Sequence, residues 1–135
     1  MQGWKDEYSV GIAIMDDQHR ELIKLLVELS DALDRREKLD VAFTLTRLDV
    51  YSLYHFASEE QLLARYAFYG LEDHKRDHDE FKKRIGALKS KHADSPDKEF
   101  EVAAEILGTV LDWVEDHLML KDKEYARFIA EQEKQ

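Results

Sequence analysis

Apolar side chains recur every three or four residues along four stretches of the chain, which is the spacing of one buried stripe on an α-helix. In the first stretch the stripe comprises Leu22, Ile23, Leu26, Leu29 and Leu33. Comparable stripes follow in three later stretches. The pattern predicts helices over residues 17–37, 41–66, 71–91 and 96–118, with an arm of residues 1–16 before them and a helical extension after them.

Capping and turn residues mark the ends of these predicted helices. Asp16 or Asp17 is suited to cap the first helix and Asp40 the second, because a carboxylate can accept a free backbone N–H. Gly70 is suited to close the second helix. Ser95 followed by Pro96 is typical of the cap and first residue of a fourth helix.

Four amphipathic helices with short connections bury their stripes most simply as antiparallel neighbours. The predicted fold is therefore all-α, an antiparallel up-down-up-down four-helix bundle with an extended N-terminal arm, and residues 1–135 form a single domain. One Pro and five Gly are too few for the many tight turns of an all-β domain.

Polar residues interrupt the apolar stripes. A single His at such a position is ordinarily a hydrogen-bonded core residue, and that interpretation is favoured for any one of them. Several together, with a carboxylate, would make a poor core, because buried charge is costly unless it is paired or coordinated. Pairs four residues apart share a helix face and can reach a common ion. The interrupting residues are His19, His55, Glu59, His74, His78 and His117.

These residues are also expected at similar heights in the bundle. His19 comes early in the first helix and His74 early in the third, whereas His55 comes late in the second and His117 late in the fourth. In an antiparallel bundle all of them meet at one end. Asp122 joins them only if the helix is locally widened or ends there, because five residues correspond to about 140° on an ideal helix. Taken alone, Asp122 would be interpreted as a solvated acid.

Four motifs succeed one another on the predicted helices: a single His, then HxxxE, HxxxH and HxxxxD. Around them stand Trp4, Val10-Gly11, Asp16-Asp17-Gln18-His19, His55-Phe56, Glu59-Glu60, Phe81, Trp113 and Tyr125. This order resembles that of the bacterial hemerythrins over roughly the whole chain. The resemblance implies a non-haem di-iron centre whose two iron ions share an oxo or hydroxo bridge. It implies that His74, His78 and His117 hold one iron, that His19 and His55 hold the other, and that Glu59 and Asp122 bridge them.

Apolar residues flank these candidate ligands. Leu22, Phe56, Trp113 and Leu118 would, by the same resemblance, form a dry oxygen pocket that excludes water. The sequence is equally consistent with ordinary packing residues at these four positions.

The implied ligand set leaves one coordination position open. Five imidazoles, two bridging carboxylates and one oxygen bridge supply eleven of the twelve bonds that two octahedral irons take, and the shortfall falls on the iron with two His. The prediction is a non-enzymatic protein that binds dioxygen reversibly for storage, delivery or sensing. The alternatives are a di-iron peroxidase or nitric-oxide-consuming activity, and iron storage or detoxification. Nitrogen and oxygen donors alone would also admit manganese, zinc or cobalt.

Charge and composition limit the other partners. Twenty Lys and Arg against 30 Asp and Glu give a formal net charge of −10, which repels nucleic acids and anionic membranes. With no Cys and no long apolar run, a cytoplasmic protein is expected. The solvated helix faces offer no obvious large apolar patch and favour a monomer, and the resemblance implies dioxygen as the partner. His92 and Glu60 are expected on the surface, with Glu60 as an exposed partner for lysine.

Overall fold

A computed structural model describes residues 2–134 as a helical protein. Met1 and Gln135, the two ends of the predicted domain, lie outside the described residues. Within that range there is no strand, and no helix is long and apolar enough to cross a membrane. The elements are a 3₁₀ turn at Asp6–Tyr8, α1 at Ala13–Arg35, α2 at Val41–Arg65, α3 at Leu71–Asp94, α4 at Glu99–Trp113, a π-helical segment at Val114–Lys121 (the π segment), and α5 at Asp122–Glu133.

The predicted four-helix bundle is confirmed. Helix α1 packs on α2 and α4, and α3 packs on the same two helices, so that each long helix has two neighbours. Because connections of only four or five residues join successive helices, consecutive helices run antiparallel. The π segment and α5 continue α4 without a break, which gives the predicted C-terminal extension.

Two apolar clusters enclose the polar positions. On α2, Leu48 belongs to the main cluster and Leu63 to the second, while His55 and Glu59 lie between them along the helix. Tyr125 of α5 is completely buried in the second cluster. The polar residues are thus shielded by apolar layers on two sides, where the dielectric constant is low and charge interactions are strong.

The N-terminal arm is shorter than predicted, because α1 begins at Ala13 and not near residue 17. Asp16 lies inside the first turn and does not cap the helix. Its carboxylate accepts hydrogen bonds from the backbone N–H of Val10 at 2.8 Å and from the Ser9 hydroxyl at 2.5 Å. The charge therefore ties the arm to α1.

Of the remaining predicted helix ends, one is right and two are wrong. Gly70 does not close α2, which ends at Arg65, and instead directly precedes α3. Asp40 caps α2 as expected, and its Oδ1 accepts the backbone N–H of Phe43 at 3.0 Å. Helix α4 begins at Glu99, three residues later than predicted. Ser95 instead opens a turn in which its carbonyl accepts the N–H of Lys98 at 3.0 Å, with Pro96 at the second position that proline favours in turns.

The stripe predicted for the fourth helix is buried in four of its six positions. The sequence pattern placed Phe100, Ala103, Leu107, Val110, Val114 and His117 on the inner face. Ala103, Val110, Val114 and His117 are buried, whereas Phe100 is 40% exposed and Leu107 is only partly buried. Val102 and Ile106, which the pattern did not select, are completely buried, so the inner face is rotated towards them at the start of α4.

Candidate metal centre

Seven buried polar residues from α1, α2, α3, the π segment and α5 meet at one end of the bundle. Each residue has at most 3% of its surface exposed. Isolated polar groups would not tolerate this burial, so the set must be mutually compensated or bound to an ion. The seven are His19, His55, Glu59, His74, His78, His117 and Asp122.

Their ligand atoms form two groups, each with all its atoms within 4.8 Å of one another. The first, called here the three-histidine group, contains Glu59, His74, His78 and His117. The second, called the two-histidine group, contains His19, His55, Glu59 and Asp122. Glu59 belongs to both groups, which places them side by side.

Glu59 directs one carboxylate oxygen to each group. Its Oε1 lies 2.9 Å from the Nε2 atoms of both His74 and His78. Its Oε2 lies 3.3 Å from Nε2 of His55. A carboxylate whose two oxygens face different groups is suited to bridge two ions.

Asp122 divides its oxygens in the same manner. Its Oδ1 lies 2.8 Å from Nε2 of His74 and 3.1 Å from Nε2 of His117, whereas its Oδ2 lies 3.3 Å from Nε2 of His19. Two carboxylates therefore span the same pair of positions, and the sets of imidazoles lie on opposite sides of them.

The π segment explains how Asp122 reaches this position. The backbone N–H of Asp122 donates to the carbonyl of His117, which is the i to i+5 bond of a widened helix. Because each hydrogen-bonded turn of a π-helix holds one residue more than a turn of an α-helix, side chains five positions apart in sequence lie on one face of the helix. The predicted local widening is confirmed, and it extends over eight residues.

Three imidazoles bind a second polar side chain through the outer ring nitrogen, Nδ1. In each case the acceptor is next in sequence to a candidate ligand and serves a His on the following helix. The pairs are His55 with Gln18 at 2.6 Å, His78 with Glu60 at 2.8 Å, and His117 with Asp77 at 3.3 Å.

Sequence reasoning missed these three acceptors. The expectation that Glu60 is a surface partner for lysine is wrong, because its Oε2 accepts from the buried ring of His78. The sequence held one signal for the role of Glu60, namely its position directly after Glu59. A residue next to an inward-facing ligand can contact the neighbouring helix. Nδ1 of His19, by contrast, is buried without a partner among residues 2–134.

These outer bonds fix the chemistry of the inner nitrogens. An imidazole that donates from Nδ1 carries its lone pair on Nε2 when it is neutral. The lone pairs of His55 and His78 therefore face carboxylate oxygens 3.3 and 2.9 Å away, and such contacts repel unless a proton or a metal ion lies between them. Nε2 of His19 lies 3.2 Å from Nε2 of His55.

The spacing of the donor atoms fits octahedral metal ions. Two ligand atoms at right angles on bonds of about 2.1 Å are about 3.0 Å apart. The nitrogen–oxygen separations given above for His74, His78, His117 and His55 run from 2.8 to 3.3 Å. The donor set is made of imidazole nitrogens and carboxylate oxygens, which suits a transition metal.

The electrostatics also favour cations. Burial lowers the pKa of an imidazole, but at His74 hydrogen bonds to Asp122 and Glu59 outweigh burial and raise the pKa to about 8. At His117 burial is likewise outweighed by the charge of Asp122, and the pKa rises to about 10. The pKa of Asp122 is held well below its ordinary value: burial and Glu59 oppose ionisation, and His117 overcomes them.

Comparison with known proteins agrees with this geometry. Residues 10–129 match the family model described as the hemerythrin HHE cation binding domain. The chain belongs to the hemerythrin family. It is similar to the bacteriohemerythrin of Clostridium acetobutylicum, with 31% identity over 129 residues that cover 90% of this chain and 96% of that protein.

Other bacterial relatives of this hemerythrin match to a similar extent. The bacteriohemerythrin of Aquifex aeolicus is 29% identical over 124 residues, covering 90% of this chain and 92% of its own. The bacteriohemerythrin of Pseudomonas aeruginosa is 28% identical over 122 residues, which cover 90% of this chain and 77% of that protein.

Aromatic rings cover the three-histidine group of this hemerythrin. Phe56 stacks on His78 with centroids 3.9 Å apart and planes 4° apart, and Trp113 stacks on His117 at 3.9 Å and 12°. Leu22 and Leu118, the other two predicted pocket residues, are each only 1% exposed.

Two tyrosines contact residues of the centre, whereas His92 lies outside it. The hydroxyl of Tyr125 donates a hydrogen bond to Oε2 of Glu59 at 3.0 Å. Tyr51, which sequence reasoning did not select, stacks on His55 with centroids 5.0 Å apart and planes 15° apart. His92 is half-buried near the end of α3, with its Nε2 3.4 Å from Oε1 of Glu99, and it belongs to neither group.

Proposed function

We propose that this hemerythrin holds two iron ions and binds dioxygen reversibly, for storage, delivery or sensing. One ion is held by the three-histidine group and the other by the two-histidine group, and an oxo or hydroxo bridge joins them. The proposed ligands are His74, His78 and His117 on the first ion, His19 and His55 on the second, and Glu59 and Asp122 on both.

The observation that carries the proposal is that each of the two carboxylates directs one oxygen to each histidine group. Glu59 and Asp122 each offer one oxygen to each group, so each ion gains two oxygen donors in addition to its imidazoles. With one bridging oxygen, the first ion has six donors and the second has five. The position left on the second ion can take a diatomic ligand without displacing a protein group.

The composition of the ligand set favours binding over oxidative catalysis. Iron supplies the redox chemistry of the centre when it is bound. The protein contributes five neutral imidazoles and only two carboxylates, whereas the ferritin-like di-iron bundles use more carboxylates and so stabilise higher oxidation states. A centre of low anionic charge favours the return to the ferrous state on release of the ligand.

The surrounding side chains exclude water. Phe56 and Trp113 lie flat on two proposed ligand rings. Leu22, one helical turn after His19, and Leu118, directly after His117, are both buried. An apolar shell of this kind limits proton and water access and therefore slows irreversible oxidation.

Spectroscopy of the iron-loaded protein tests the proposal. The iron content is expected to be two per chain, and the anaerobic ferrous protein is expected to gain a visible charge-transfer band in air and to lose it on evacuation. Irreversible conversion to the ferric form on the first exposure contradicts reversible binding. Turnover of peroxide or nitric oxide would favour catalysis, and uptake of many irons per chain would favour iron storage.

A further inference from the structure

The hydroxyl of Tyr51 is a buried hydrogen-bond donor that the protein leaves unused. Tyr51 lies one turn before His55 on α2, and its ring stacks on the His55 imidazole. Its hydroxyl oxygen is buried and has no hydrogen-bond partner among residues 2–134. An unpaired buried hydroxyl destabilises the folded state unless a ligand or water accepts a hydrogen bond from it.

The Tyr51 hydroxyl lies close to the candidate metal centre. Burial raises the pKa of Tyr51 well above its ordinary value, and the charges of Glu59 and Asp122 raise it further, so both bridging carboxylates act on this oxygen. Tyr125 provides the contrast, because it is buried in the same field and its hydroxyl is paired with Glu59. One of the two phenols near the centre is therefore committed to a ligand, and the other is free.

Tyr51 also lines a groove between α1 and α2. The groove has a volume of about 710 Å³, and its lining includes Tyr51, His55 and Gln18. The Tyr51 side chain thus borders this groove and stacks on a ring of the two-histidine group, while its hydroxyl oxygen is shielded from solvent.

We propose that the Tyr51 hydroxyl donates a hydrogen bond to a small anionic ligand at the open position of the two-histidine metal ion. The inference rests on the metal assignment of the proposed function and names a further residue that determines ligand affinity. An exogenous ligand on that ion must lie beside His55, the ring on which Tyr51 stacks. A phenol of ordinary pKa near 10 keeps its proton at neutral pH, so it favours ligands that carry negative charge.

The test uses azide, a small linear anion, as the probe on the ferric iron-loaded protein. Tyr51→Phe removes only the hydroxyl, and Tyr54→Phe is the matched control, because Tyr54 lies on the same helix, lines the same groove and is 62% exposed. Azide affinity is measured by titrating its charge-transfer band, alongside iron content and thermal melting of each variant.

Tyr51→Phe is expected to keep two irons and to bind azide about tenfold more weakly than the wild type, the typical effect of losing a hydrogen bond to a charged group. Tyr54→Phe is expected to match the wild type. Equal azide affinity in all three proteins overturns the proposal. Loss of iron from Tyr51→Phe also overturns it, because the residue would then support the metal and not the ligand.

A measurement on the wild type covers the case in which Tyr51→Phe does not fold. The infrared stretching band of bound azide is expected to shift between H₂O and D₂O because its partner is an exchangeable O–H, and an unshifted band contradicts the proposal. Wild-type protein that binds azide with this shift but does not release dioxygen reversibly supports the Tyr51 inference and refutes the proposed function. Wild-type protein that binds no iron refutes both.

Discussion

Gln18 Oε1 lies 2.6 Å from Nδ1 of His55, so a residue of α1 orients an imidazole of α2. Gln18 is itself positioned by a 3.4 Å contact from its Nε2 to the hydroxyl of Ser58. A hydrogen bond at Nδ1 fixes the tautomer and the ring orientation and increases the basicity of Nε2. We therefore expect the metal affinity of the two-histidine group to depend on Gln18, which is not itself a proposed ligand.

Replacing Gln18 by Ala is expected to weaken metal binding at the two-histidine group by about 10- to 100-fold, because His55 loses its orienting acceptor. The measurement is the iron retained per chain during titration with a chelator. Gln61→Ala is the control, since Gln61 is exposed on α2. Identical chelator curves for the two variants would show that the contact is irrelevant to metal affinity.

Replacing His55 by Ala is expected to abolish reversible dioxygen binding while the bundle stays folded. In the proposed assignment the variant removes a bond from the ion that already has the open position, whereas the apolar clusters on either side are untouched. The readouts are the spectra in air and after evacuation, together with helical content and thermal melting. His92→Ala is the matched control, because His92 lies outside both groups. A wild-type spectrum from His55→Ala would disprove the ligand assignment.

The stability of protein stripped of metal is expected to fall as the pH rises above neutrality. His74 and His117 have pKa values of about 8 and about 10 in the folded chain, against about 6.5 when unfolded. Because the folded pKa is the higher one, the protonated imidazoles stabilise the fold fully below pH 6.5, and this contribution disappears as the pH passes through 8 and then 10.

Thermal melting of the stripped protein at pH 6, 7.5 and 9 checks this pH dependence. The melting temperature is expected to decrease along the series, and the iron-loaded protein, whose imidazoles are bound in the neutral form, is expected to show a smaller decrease. A stripped protein that melts equally well at pH 6 and pH 9 would be inconsistent with protonated His74 and His117.

The bundle and six of the seven candidate ligands could be predicted because periodicity reports directly on which helix face is buried, and a histidine or carboxylate in an apolar stripe stands out. Asp122 was predicted only through the family resemblance, because a carboxylate five residues after His117 would by itself be interpreted as a solvated acid; the widened helix is what turns it inward. The metal itself and its bridge stay predictions.

The acceptors beside the ligands could not be predicted in the same way. Gln18, Glu60 and Asp77 are ordinary polar residues at the edge of a buried stripe, and such residues usually face solvent. Their inward contacts depend on the distance and crossing angle of neighbouring helices, which periodicity does not contain. The predicted start of α4 was wrong for a local reason, because a Ser-Pro sequence can begin a turn as readily as a helix.

The buried Nδ1 of His19 has no hydrogen-bond partner among residues 2–134, whereas the Nδ1 atoms of His55, His78 and His117 are all paired. His78 is hydrogen-bonded at both ring nitrogens, to Glu59 and to Glu60, so its orientation is fixed from two sides. His19 has polar contacts at Nε2 alone, so no hydrogen bond fixes the opposite edge of its ring. In the proposed assignment His19 holds the ion with the open position, and we therefore expect this imidazole to reorient more than the other ligands when a diatomic molecule binds.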